Sequence, residues 1–360
     1  MKILRPLSIL AGCLLWAASA YAQISLAPPA AQAPPAASKP VAKPKAKPPA
    51  VAKKPAAPAA TPKSAATPAP AATVTPTPAP DDPNVDLVFG AYQRGQYKTA
   101  FDLATTRVQD NGDPKAMTML GELYANAMGV KRDYAKAADW YKRAADGGDR
   151  EGMFALAMLR LSGRGGPVNR EEAVKLLASS AKLGNPKAAY NLALLYLDGQ
   201  TLPQDVKRAA ELFRVAADAG NPEAQYALAT FYKEGTGVPK DLDKAVRLLQ
   251  AASLADNVDA EVEYAIALYN GTGTPKNEAA AVALLRKAAK QNSPIAQNRL
   301  ARVLLSGQGA TMDKVEAMKW HIIAKTAGKG DPTLDEALAT LSPEDRARAQ
   351  EGARIWLGKK

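Results

Sequence analysis

An all-α solenoid of 36-residue antiparallel helix pairs is the fold that this 360-residue sequence predicts, and three observations predict it. One pattern recurs six times, beginning at Asp113, Asp149, Asn185, Asn221, Asn257 and Ser293, with no insertion or deletion between copies. Each copy has two positions that accept only small side chains: Ala116, Gly152, Ala188, Ala224, Ala260 and Ala296, then Gly121, Ala157, Ala193, Ala229, Ala265 and Ala301. Within each copy the apolar residues follow a helical rather than a strand period. A repeat of that length is a supersecondary unit that cannot bury its apolar face alone and must stack on its neighbours.

Taken in order, the chain opens with a predicted signal peptide, residues 1–22. Lys2 and Arg5 precede an apolar run from Leu7 to Ala18, and Ala20-Tyr21-Ala22 supplies a small-x-small cleavage site before Gln23. Export to the periplasm is the expectation. The alternative is a lipoprotein acylated at Cys13, because Leu10-Ala11-Gly12-Cys13 resembles a lipobox; its apolar stretch continues past the cysteine, which favours cleavage after Ala22. The run is shorter than the ~20 residues that span a bilayer. Cys13 is the only cysteine, so the cleaved chain forms no disulfide.

Residues 23–83 change to Pro, Ala, Lys and Thr and cannot build a core, which predicts a disordered linker. Seven lysines sit among the prolines, as in Lys43-Pro44-Lys45-Ala46-Lys47-Pro48-Pro49. At roughly 3.1 Å per residue in polyproline II, full extension is on the order of 150 to 190 Å. The segment resembles the Pro-Lys spacers of proteins that reach across the bacterial periplasm. It reads either as an inert tether or as a weak ligand for peptidoglycan or another anionic envelope polymer. The chain carries 47 basic and 35 acidic residues, net +12, but residues 84–360 carry 38 against 33. That mixed surface has no basic stripe with interleaved aromatics, so nucleic acid is not an expected partner.

Residues 84–112 read as a shortened capping unit: Val88, Phe89, Tyr92, Gly95, Tyr97 and Ala100 have the spacing of a tighter helical hairpin. Six full copies fill 113–328, and Asn221 to Asp256 shows their logic. Asn221-Pro222 is an N-cap with proline at the first helical position, where the missing N–H costs nothing. Ala224, Leu228, Phe231 and Tyr232 then share one face. Gly235 and Gly237 end the helix and turn the chain. Ala245, Leu248, Leu249 and Ala252 form the apolar face of a second, antiparallel helix. The G-x-G pairs recur at repeat spacing with no strand before them, so they are turns rather than phosphate cradles.

The order of small residue, Leu-Gly or Leu-Ala, Tyr, Gly-x-Gly, Asp, Ala, bulky pair and paired small residues resembles the Sel-one-like repeat, a relative of the tetratricopeptide repeat with a longer loop. Ala116 to Gly148, AMTMLGELYANAMGVKRDYAKAADWYKRAADGG, carries the resemblance best. It implies a curved, right-handed helical superhelix used as an interaction scaffold. The disulfide-stapled members of that family, for which β-lactam chemistry has been proposed, are not a guide to a chain without retained cysteine. The opening unit has the turn of an ordinary tetratricopeptide repeat.

Residues 329–360 leave the repeat and predict C-terminal capping helices. Leu334 to Leu341 reads as a short helix, and Ser342-Pro343-Glu344-Asp345 starts another. Ala347, Ile355, Trp356 and Leu357 are the residues expected to cover the solenoid end.

Chemistry has little to draw on. His321 is the only histidine and stands where other copies place Tyr141, Phe213, Leu249 and Leu285, so it reads as a core or cap residue. No thiolate or His-rich metal site and no cofactor is expected, and carboxylates are spread at repeat spacing rather than paired for acid–base work. The chain therefore reads as a non-enzyme. Counting from each repeat start, offsets 5, 9 and 12 of the first helix are expected to stack on a neighbouring repeat, whereas offsets 2, 6 and 13 form a mainly polar stripe expected to line the concave surface. Along it, Asn191, Glu223, Glu234, Asp259, Glu263 and Asn270 are the candidate partner-binding residues. The acids among them suit a cationic segment. A protein or peptide partner in envelope assembly or envelope-stress signalling is the expected function; the alternatives are a peptidoglycan-associated factor and a hydrolase acting on envelope polymers.

Overall fold

The computed structural model describes residues 86–358. The predicted signal peptide and linker, with residues 84–85 of the capping unit, lie outside them. Sixteen helices, and no strand among the described residues, follow one another along the chain. The opening hairpin is α1 (Leu87–Gln93) and α2 (Tyr97–Asn111). The six repeats are α3 (Pro114–Asn126) with α4 (Tyr134–Asp146), α5 (Arg150–Ser162) with α6 (Arg170–Lys182), α7 (Pro186–Asp198) with α8 (Val206–Asp218), α9 (Pro222–Glu234) with α10 (Leu242–Leu254), α11 (Val258–Asn270) with α12 (Glu278–Lys290), and α13 (Pro294–Ser306) with α14 (Lys314–Thr326). The chain closes with α15 (Pro332–Ala339) and α16 (Pro343–Gly358). Each repeat helix packs on the helices before and after it, the pattern of a solenoid.

Both helices of every repeat are started by a side chain. Asp113, Asp149, Asn185, Asn221, Asn257 and Ser293 accept a backbone N–H from the first turn. Asp133, Asn169, Asp205, Asp241, Asn277 and Asp313, always twenty positions later, do the same for the second helix. Such caps contribute ~1 kcal/mol each. First helices end with a left-handed residue, glycine in five repeats and Ala127 (φ 60°) in the first.

Close approach explains the small positions. A Cβ on Gly121 would lie 2.5 Å from Cε1 of Tyr141, whose ring is buried in the same repeat, and one on Gly152 would lie 2.7 Å from the Ala144 methyl of the preceding repeat. The second glycine of each G-x-G does more than turn the chain. A Cβ on Gly237, Gly273 or Gly309 would press on the carbonyl of Val206, Leu242 or Glu278, at 2.8, 2.5 and 2.7 Å, so the loop sits directly on the first turn of the preceding repeat's second helix.

At the C-terminal end, α16 packs on α14. Ala349 and Ala353 are its buried residues, whereas Ala347 and Ile355 are exposed, which corrects the expected covering set. Small residues face α14 because bulk is already present there: Trp320 meets Trp356 edge to face at 5.2 Å, with the Lys319 ammonium over both rings. His321 is fully buried, and its Nε2 lies 2.8 Å from Asp335 Oδ1 on α15, tying the short helix to the last repeat.

Candidate functional site

The first helices place two kinds of side chain side by side. Offset 5 reaches the following repeat in the first copy, where the Thr118 hydroxyl donates to Asp149 at 2.6 Å, whereas Tyr190 packs on Phe213 of its own repeat at 5.6 Å between centroids. Tyr190, Leu194 and Leu197, at offsets 5, 9 and 12, pack against a cluster that runs across two repeats, from Phe213 of the third to Leu228 and Phe231 of the fourth. Offsets 2 and 6 share an open surface. Lys115, Met119, Glu151, Ala155 and Lys187, from three successive repeats, all border one cleft.

Of the six predicted residues, Glu223, Glu234, Asp259 and Asn270 are exposed, and Asn191 and Glu263 are half-buried. The structure draws three acids around Tyr226. Burial, then Glu263, Asp259 and Glu234, push its hydroxyl well above the ordinary tyrosine range. Asp259 is itself held above the usual carboxylate range, by the surrounding protein first and by Glu263 second. Glu223 acts one repeat earlier: burial and then Glu223 push Tyr190 up to about 12. Glu263 also accepts the Lys233 ammonium at 2.7 Å across the repeat boundary. Asn191 turns back on its own helix, its amide donating to the Lys187 carbonyl at 2.8 Å.

Sequence reading missed Lys233 as a member of the acidic site and passed over Arg299, half-buried at offset 6 of the sixth repeat. Burial and the charge of Arg302 hold the Arg299 guanidinium below its ordinary value, against the pull of Glu263 and Asp331. A signal for the first was present. Lys233 to Glu263 spans 30 residues, as does Arg286 to Glu316, and Arg302 to Asp331 spans 29, so side chains about 30 apart meet across repeats.

The arrangement offers charge and aromatic surface. Among the described residues no group of three or more His, Cys, Asp or Glu side chains is placed to hold a metal ion, and no helix is long and apolar enough to cross a membrane.

Comparison with known families finds the Sel1 repeat at residues 114–149, 150–185, 186–221, 222–257, 258–293 and 294–329. Comparison with curated proteins finds no match. Among solved structures, a Sel1 repeat protein from Oxalobacter formigenes is 26% identical with a TM-score of 0.58, over 67% of this chain and 98% of that one. The c5321 protective antigen of uropathogenic Escherichia coli, which displays an SLR fold, is 25% identical with a TM-score of 0.53, over 75% of this chain and 67% of that one.

Proposed function

This chain belongs to the Sel1 repeat family, and from that premise we propose that it is a non-catalytic interaction scaffold whose first-helix stripe seats a cationic segment of a partner protein. One observation carries the reading: Glu234, Asp259 and Glu263 converge on Tyr226, with Glu223 beside Tyr190 one repeat earlier. Negative charge next to half-buried aromatic rings suits lysine and arginine side chains, which gain from carboxylates and from ring faces together. The setting of this reading is the periplasm, with a role in envelope assembly or envelope-stress signalling, and its support is the export signal read in residues 1–22.

The test is fluorescence anisotropy of a labelled lysine-rich peptide titrated with the protein. Reversal of Glu223, Glu234, Asp259 and Glu263 to lysine is expected to weaken binding by tenfold or more at low ionic strength, with helical circular dichroism retained. Equal affinity for a helical variant would count against the reading.

A further inference from the structure

The sixth repeat is followed by a first helix that is cut short. Counted from its N-cap Asp331, α15 runs eight residues, whereas the first helix of every repeat runs thirteen. The bond that joins one cap to the preceding repeat is kept: the Asn298 amide, at offset 5 of the sixth repeat, lies 3.4 Å from Asp331 Oδ2, as Thr118 donates to Asp149 from the same offset. The apolar packing is not kept. The residue at offset 8 is buried in all six repeats, but Ala339 at that place is exposed, and Leu334 is the one buried apolar residue of α15.

Polar groups hold the short helix instead. At its start, buried Asp331 accepts the Arg302 guanidinium at 2.5 Å. In its middle, Asp335 accepts the Lys325 ammonium at 2.7 Å and meets His321 Nε2 at 2.8 Å. At its end, Arg346 of α16 donates to the carbonyls of Ala339 and Leu341 at 2.5 and 3.4 Å. Asp335 and Lys325 are 38% and 56% exposed, so their pair contributes little. Closure also leaves His321 Nδ1 buried with no hydrogen-bond partner, a cost that ends when water reaches the ring. The last helix is seated separately: Ala349 and Ala353 of α16 are buried, and Trp356 packs on Trp320 of α14.

We infer that α15 is a latched strap: it opens from the sixth repeat as a unit while α14 and α16 stay packed, and the Asp331–Arg302 pair is its latch. An element with one buried apolar residue and otherwise polar ties lies at the low end of local stability. Opening hands the Arg302 guanidinium and the His321 imidazole to solvent, so this end of the solenoid has a closed and an open surface. The device stands whether or not the acidic stripe binds a partner.

His321 is the only histidine in the chain, which gives the experiment a single reporter. It is fully buried, and its Nε2 faces α15. Diethyl pyrocarbonate carbethoxylates an imidazole nitrogen only where it can reach it, and ultraviolet absorbance follows the reaction on the full chain. At pH 7 the folded wild type is expected to react slowly, and Asp331→Asn about tenfold faster or more, because the latch is lost. Asp331 makes no bond to His321, so the gain reports opening rather than altered imidazole chemistry. Glu336→Gln, at an exposed position of the same helix, is expected to react at the wild-type rate. Gly237→Ala, which strains the fourth repeat, is also expected to leave the rate unchanged, and this separates opening of α15 from unfolding of the solenoid. Circular dichroism confirms that each variant is folded. Equal rates for Asp331→Asn and wild type, no reaction of the folded chains, or equal acceleration by Gly237→Ala would each overturn the inference.

Discussion

The Lys233 ammonium, on the first helix of the fourth repeat, lies 2.7 Å from the Glu263 carboxylate on the first helix of the fifth. The bridge joins two repeats and quenches one of the four acids proposed to receive a cationic partner. Both side chains are about one-third exposed, so its own contribution to stability is under ~1 kcal/mol.

Removing the lysine therefore changes binding more than folding. Lys233→Ala frees Glu263 and is expected to tighten a lysine-rich peptide by about threefold at low salt, an effect that shrinks as ionic strength rises. Anisotropy titrations at two salt concentrations check it; unchanged affinity at low salt would show that Glu263 does not belong to the binding surface.

Asp259 gives the site a pH dependence. Its folded-state pKa is raised, so in the window between its ordinary and raised values the folded chain binds more protons than the unfolded one, and its contribution to stability falls as pH rises through that window. The Tm difference between wild type and Asp259→Asn is expected to shift in favour of wild type as pH is lowered from 7 through this window. Cationic peptide binding is expected to weaken over the same range, because the site loses a charge. Paired melting curves and titrations across pH separate the two effects.

Asp331 behaves oppositely. Burial alone would raise it, but hydrogen bonds from Arg302, Asn298 and the backbone, with the Arg302 charge, hold it below the usual carboxylate range. It is 3% exposed and caps α15. Asp331→Asn is expected to cost about 2 kcal/mol at pH 7. A depressed carboxylate contributes stability above its unfolded pKa and loses it as pH falls through the folded one, so the cost should shrink in acid. Denaturant melts at pH 7 and in acid check both parts.

The two turn glycines should not be equivalent. Gly235 and Gly237 both have positive φ, 80° and 69°, but a Cβ on Gly235 first meets Lys240 Cβ at 3.3 Å, while one on Gly237 meets the Val206 carbonyl at 2.8 Å. Gly235→Ala is expected to cost roughly 1 kcal/mol for the left-handed backbone. Gly237→Ala adds a displacement of the preceding repeat and is expected to cost roughly 3 kcal/mol. Chemical denaturation of the two variants gives the comparison, and equal costs would contradict the close approach.

What was legible in the sequence follows from what a repeat imposes locally. The first-helix caps, Gly121 against a bulky neighbour and the turn at Gly235 are set within one 36-residue unit and recur, so pattern alone exposes them. The second-helix caps recur as regularly, at Asp133, Asn169, Asp205, Asp241, Asn277 and Asp313, and could have been read the same way. Contacts between helices were not legible. Glu261 is fully buried, held by the Lys287 ammonium at 2.7 Å. Its partner, 26 residues later, is chosen by how α11 packs on α12. Around the candidate site, the offset stripe placed Glu234, Asp259 and Glu263 on a common surface, but Lys233 and Tyr226, on the same helix as Glu234, meet Asp259 and Glu263 of the fifth repeat only once the repeats are stacked.

The central claim is that a partner protein lies along the first-helix stripe. Photo-crosslinking in the native cell tests it most directly, with a benzophenone amino acid replacing Glu234 on the stripe in one strain and Arg247, exposed on the second helix of the same repeat, in another. The account predicts a discrete crosslinked protein from position 234 that is absent at 247 and is lost on reversing Glu223 and Asp259 to lysine. The same product from position 247, or one from 234 that survives the reversal, would contradict it.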